Sequence, residues 1–268
     1  MAFFYPSITE DQRTEPFELQ VSRGLVQGHR AITVFGYNPD VDTAEVTVWP
    51  HTGSLVHPTT AVTVKVSSAS ADDTSNGIGA RTVTINGLDN NYDEISETVT
   101  LNGQTAVVTT KLFIRINYAF VASTGTSISA LGDIFFGNGT VTAGVPDTVY
   151  NIIKFDYNNT VSGHYTIPAG HTGYLMQGNF SAGQSGGSAA VRGRLLTTDA
   201  TGVRRTAAVV TVNNGAIEYP FEYPIAIPEK TDIEATALGT STNNQASILY
   251  VLVLVKGSTA PSPGTPRI

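Results

Sequence analysis

From Glu45 onward, apolar and polar residues alternate with a period of two in one short segment after another. Val46 and Val48 alternate with Thr47 and Trp49, and Ala61–Val66 and Arg81–Asn86 repeat the pattern. That period places successive side chains on opposite faces of a half-buried strand. Arg81–Asn86 and Glu94–Leu101 flank an Asn/Asp/Gly cluster at 87–93, so the pair predicts an antiparallel hairpin. Asn102-Gly103 supplies a second tight turn before Ala106–Thr110, and Leu112–Val121 reads as one longer, more buried strand. Ile134–Phe136 follows as a strand closing a first domain. Further strands are expected at 150–157, 164–176, 190–197, 207–212, 217–227, 231–237 and 247–255. The longest apolar run, Ile248–Val255, fits a single buried strand and is too short to cross a bilayer as a helix.

Residues 1–44 break this rhythm with Pro6, Pro16, Gly24, Gly28, Gly36 and Pro39, and predict an extended N-terminal arm. Ala31–Phe35 within it is a single strand that could lie on a neighbouring sheet, in the same chain or in a partner. Composition shifts to Gly, Ser, Thr and Asn between about 122 and 148. The expected organisation is all-β: an arm (1–44), two successive antiparallel domains, a β-sandwich (45–135) and a jelly-roll-like one (136–256), and a flexible tail (257–268).

Composition narrows the class. The chain has 268 residues, enough for one large β domain or two smaller ones. Charged residues make up only 14%, and 36 Thr, 16 Asn and 26 Gly take their place. Thr favours strands while Gly and Asn favour turns, which argues against a mainly helical protein. A net charge of −7 excludes the basic face of a general nucleic-acid binder. The N-terminus lacks a basic region and a long apolar stretch, so no signal peptide and no membrane anchor are expected. With no cysteine, disulfides, thiolate metal sites and a cysteine nucleophile are all excluded.

Candidate chemistry is sparse. Asp89–Asp93 opens like a calcium loop, but Glu94 stands where the sharp-turn glycine belongs and Thr100 where the bidentate Glu belongs, so a hairpin turn is expected. Asp40 and Asp42 form a similarly weak carboxylate pair. The five histidines, His29, His51, His57, His164 and His171, match no metal-ligand spacing. Phe180–Gly187 reads as a loop, with neither a nucleophile elbow nor a phosphate-binding Lys. No catalytic residue, cofactor or metal is therefore expected. Tyr219, Phe221 and Tyr223 alternate between Pro220 and Pro224, which would align three rings on one face of an edge strand or spur. Such a row could stack on sugar rings or fill an interface.

Six stretches, Pro16–Gly24, Phe35–Thr43, Gly79–Asp89, Glu94–Gly103, Tyr165–Leu175 and Ile227–Ile233, together resemble a family of tailed-bacteriophage virion structural proteins common in marine and cyanobacterial phages. The resemblance implies a non-enzymatic, β-rich virion component that assembles on capsid or tail, made in the host cytoplasm. Its expected partners are the phage major capsid protein or tail proteins and further copies of itself, a trimer ahead of a dimer. Capsid decoration leads; a tail or baseplate component and a carbohydrate-binding receptor module or depolymerase are the alternatives. On this reading the arm, with Arg13, Phe17, Arg23, Arg30 and Phe35, anchors the protein to the shell, and Tyr219, Phe221 and Tyr223 form a second contact.

Overall fold

A computed structural model describes residues 15–184 and 190–257. Arg13, the stretch 185–187 and all of the expected tail beyond Gly257 lie outside the described residues. The chain is all-β with antiparallel pairing in every sheet. A short helix, α1 (Phe17–Ser22), leads into β1 (His29–Val41) and β2 (Val46–Thr47). Then come β3 (Val62–Ser68), β4 (Ala80–Leu88), β5 (Glu94–Thr100), β6 (Val107–Phe113), β7 (Arg115–Thr124), β8 (Ile134–Thr142) and β9 (Val145–Ile153). The rest is β10 (His164–Thr166), β11 (His171–Gln184), β12 (Ala190–Thr198), β13 (Arg204–Asn213), β14 (Gly215–Ile227), β15 (Asp232–Gly239) and β16 (Asn244–Lys256).

Two sandwiches result, and one is nested inside the other. The first packs β6-β3-β8-β9 on β5-β4-β7. Alternation does the work expected of it: Val64 and Val66 of β3, Val83 and Ile85 of β4, and Ile134 and Phe136 of β8 are fully buried in one core. The second packs β1-β16-β11-β14 on β10-β15-β12-β13, with β2 beside β15. Its central strand β16 sends Tyr250, Leu252 and Leu254 into the core with no exposed surface. Leu252 and Leu254 each contribute about 1.5–3 kcal/mol of burial.

Strand pairing redraws the expected boundaries. Over His29–Val41 the arm is an integral strand, paired with β16 from His29↔Val255 to Val41↔Asn244. An eight-residue apolar strand such as Ile248–Val255 needs neighbours on both edges, and β1 and β11 supply them. The Gly-rich stretch taken as a boundary runs from the end of β7 into the β8–β9 hairpin, turned by Ala143 and Gly144 at positive φ, and it belongs to the first sandwich. Residues 136–153 therefore pair backwards rather than forwards. Leu112–Val121 is two strands, because the chain crosses at Ile114 from β3's sheet to β4's, where Ile114 N–H donates to Leu88 O. The turn at Asn102-Gly103 also changes sheet: Gly103 N–H donates to Asp73 O and Gly103 O accepts from Ser68 N–H, so β6 pairs with β3 and not β5. Phe180–Gln184, read as part of a loop, continues β11.

Two connections, 48–61 and 154–163, join the sandwiches. They cross beneath β1 at Gly36, where a Cβ would lie 2.5 Å from Val48 O and 2.6 Å from Gly163 Cα. Trp49 and Leu55 from one connection pack with Phe135 and Ile152 of the first sandwich in a small third core.

Candidate functional site

The junction between the sandwiches gathers most of the chemistry-bearing side chains. Arg115, the first residue of β7, forks onto Asp232, the first of β15, with Nε–Oδ1 and Nη2–Oδ2 both 2.8 Å. Thr166 of β10 donates its hydroxyl to the same Oδ1 at 2.6 Å. His164 Nε2 stands 3.8 Å from that oxygen, and the His57 and His164 rings lie 4.3 Å apart. Asn117 of β7 clasps Thr166, donating to its carbonyl and accepting from its N–H, each at 3.0 Å.

Burial works to raise the Asp232 carboxyl, but the Arg115 fork and the neighbouring histidines outweigh it and hold the group well below the usual carboxylate range. Burial, with His164 and Arg115 close by, pushes the His57 imidazole well below its ordinary value. His57, His164 and Asp232 could each turn one ligand atom toward a common point, these atoms lying within 4.8 Å of one another. A metal would have to compete with a guanidinium already holding both carboxylate oxygens. The cluster is therefore built as an ion-pair lock flanked by the His57 and His164 rings. Its members come from four distant stretches on different strands and connections, and no local spacing signals them.

Beside this lock, a cleft of about 710 Å³ opens between β1 and the outer face of the first sandwich. Arg30 of β1 reaches across its end to Glu94 of β5, and Tyr165 forms part of its wall. Burial pushes the Tyr165 hydroxyl above its ordinary pKa, against the opposing pull of Arg30.

The expected contact residues fall into two groups on opposite edges of one sheet. Phe17 lies edge-on to His29, with ring centroids 6.0 Å apart, and Phe35 is 52% exposed at the cleft. Arg23 and Arg30 are not free positive charge, since Glu15 and Glu94 pair with them. Three strands away, β14 carries Tyr219, Phe221 and Tyr223, but not on one face. Leu175 pairs with Ile225 and Gln177 with Pro220, so Phe221–Pro224 bulges out opposite Met176. Phe221 packs against the core while Tyr223 is 82% exposed. Two prolines that cannot donate ladder bonds suit this edge position.

Asp89 spends its Oδ1 on the N–H groups of Asn91 and Asp93, which closes the β4–β5 hairpin turn. A buried carboxylate elsewhere was not foreseen. Asp73, without exposed surface, accepts from the N–H of Ala80, Leu131 and Gly132 and from the Ser68 hydroxyl, at 2.6–3.0 Å. It ties the β3–β4 loop to the β7–β8 loop at one end of the first sandwich.

Among the described residues no helix is long and apolar enough to cross a membrane. No family model matches the sequence, and no curated protein is similar to it. Among solved structures, naturally occurring empty particles of cowpea mosaic virus (top component) give 8% identity over 80% of this chain and 93% of that one, with a TM-score of 0.23. A structure of infectious bursal disease virus, Gx strain, gives 12% identity over 88% and 74%, with a TM-score of 0.24. The VP2 subviral particle of infectious bursal disease virus gives 8% over 87% and 73%, at 0.23. TM-scores of this size do not establish a shared fold.

Proposed function

We propose that the chain is a non-enzymatic structural protein of a phage particle, acting by assembly, with capsid decoration or a head fibre as its role. One observation carries the reading: the bulge on edge strand β14 holds an aromatic ring, Tyr223, 82% exposed between two prolines. A ring so placed adds little to the fold and suits a contact with another protein. The best-formed polar cluster points the same way, because its carboxylate is saturated by Arg115 and Thr166 and joins the sandwiches. The phage resemblance in sequence supplies the kind of assembly. The partners on this reading are the major capsid protein or tail proteins, and further copies of the chain in a symmetric oligomer, a trimer first.

Co-sedimentation with shells assembled without this protein tests the proposal. Saturable binding that weakens roughly tenfold in Tyr223→Ala supports it, since interface aromatics are the usual anchors. Absence from purified virions overturns it. Copy number separates the two locations, on the order of hundreds for a capsid protein against about six to a few dozen for a tail component.

A further inference from the structure

The free edge of β1 is a built acceptor for a strand. In the β1–β16 ladder Gly28 O accepts from Lys256 N–H, so the even-numbered residues of β1 hydrogen-bond to β16. The odd-numbered residues then turn their N–H and C=O groups the other way. Tyr37 confirms the parity, because its N–H donates outward to Val161 O on the connection between the sandwiches. The chain thus already begins a pairing on this edge and does not continue it: among the described residues Ala31, Thr33 and Phe35 meet no backbone partner there. Instead they face the 710 Å³ cleft.

Sheet edges are usually blunted by a charge, a proline or a bulge. Ala31–Phe35 has none of these, and the bulge of β1 comes only between Asn38 and Val41. The first sandwich guards the edge instead, with Asn86 of β4 and Ser96 of β5 across the cleft. That wall stands where a second folded sheet would have to pair edge to edge, while the cleft beside it stays open to an extended segment. Arg30 and Glu94 are the charged residues lining the cleft, and they neutralise each other.

We propose that β1 accepts an extended, uncharged segment of another protein chain, which enters the cleft and hydrogen-bonds to the main chain of Ala31, Thr33 and Phe35. Backbone pairing supplies the affinity in such strand addition. The inference does not depend on a place in a virion, and it is tested on the isolated protein.

The probe is a capped peptide of about seven residues, alternating threonine and valine, followed by fluorescence anisotropy and amide exchange. Thr33→Pro removes an outward N–H while leaving the β16 ladder intact, and binding is expected to weaken roughly tenfold or more, whereas Thr33→Ala stays within about twofold. The same peptide with glutamate for valine should bind roughly tenfold more weakly. Exchange at Ala31, Thr33 and Phe35 should slow in the complex, with Ile32 and Val34 unchanged. Should Thr33→Pro fail to fold, Asn86→Trp obstructs the cleft from the opposite wall and is expected to give the same loss. Equal affinity of wild type and Thr33→Pro, retained binding in Asn86→Trp, or no saturable binding at about 1 mM peptide overturns the proposal. So does maltohexaose binding that blocks the peptide and survives Thr33→Pro, which would make the cleft a glycan site.

Discussion

The two sandwiches are made of similar sheets but closed in different ways. The first is one continuous stretch, β3 to β9, so all of its strand pairings close within that stretch. A buried carboxylate, Asp73, ties its loops by accepting only neutral donors. The second is assembled from both sides of that insertion, and β1 meets β16 across more than the whole first sandwich. Its carboxylate, Asp232, sits at the border and is held by a cation from the other body. The contrast shows how one chain joins a locally closing unit to a unit that closes last, since long-range pairing must first meet a loop-closure cost.

Asp73→Asn is the strongest way to break this comparison. Its amide would turn an N–H toward donors, leaving buried groups unpaired, at a cost of about 3 kcal/mol or more. Chemical denaturation followed by amide exchange should show that loss in β4 and β8, with β16 retaining its protection. A uniform loss over both sandwiches would make them a single cooperative unit.

Next is the lock. Arg115 and Asp232 side chains are only 11% and 16% exposed, so Arg115→Met strands a buried carboxylate and should cost about 3 kcal/mol. Adding Asp232→Asn should restore part of the loss, and a double-mutant cycle with coupling near zero would remove the lock from the account.

Acid gives a smaller effect of definite sign. His57 folds neutral with its pKa depressed, so below its unfolded value of 6.5 the unfolded chain binds the extra proton. Stability should be flat above that pH and fall as pH drops below it, by at most about 1.4 kcal/mol per pH unit from this group. Asp232, also depressed, contributes stability above its unfolded value of 3.8 that is lost on further acidification. His57→Gln should flatten the stability curve between those two values, and an unchanged slope would show that another group carries it.

Smallest is Tyr223→Ala, expected to leave the denaturation midpoint within about 0.5 kcal/mol of wild type. Phe221→Ala, two residues away but packed on the core, should cost roughly 2 kcal/mol.

Much of the fold could be read from the alternation. The β4–β5 hairpin, the buried β16 and the proline-flanked edge at β14 all follow from local pattern. Pairing order could not, because β1 finds β16 through geometry that only the closed sheet provides. Its Pro39 and glycines looked like an arm, yet Gly36 is required by the close crossing of Val48 and Gly163, and Pro39 sits at the bulge. Of the site, the exposure of Tyr223 and Phe35 was within reach of the sequence. The meeting of His57, His164, Asp232 and Arg115 was not, since each lies in a segment whose own pattern describes only a strand end or a turn.

The nested arrangement stands or falls on β1. Hydrogen exchange of the intact protein at rising denaturant tests it, with the amides of Ile32, Val34 and Gly36 followed beside those of Val253 and Val255, which turn toward β11 rather than β1. The account requires both sets to be protected in native buffer and to lose protection together as the second sandwich opens. Fast exchange at Ile32, Val34 and Gly36 while β16 remains protected would contradict it and return residues 29–41 to the role of an arm.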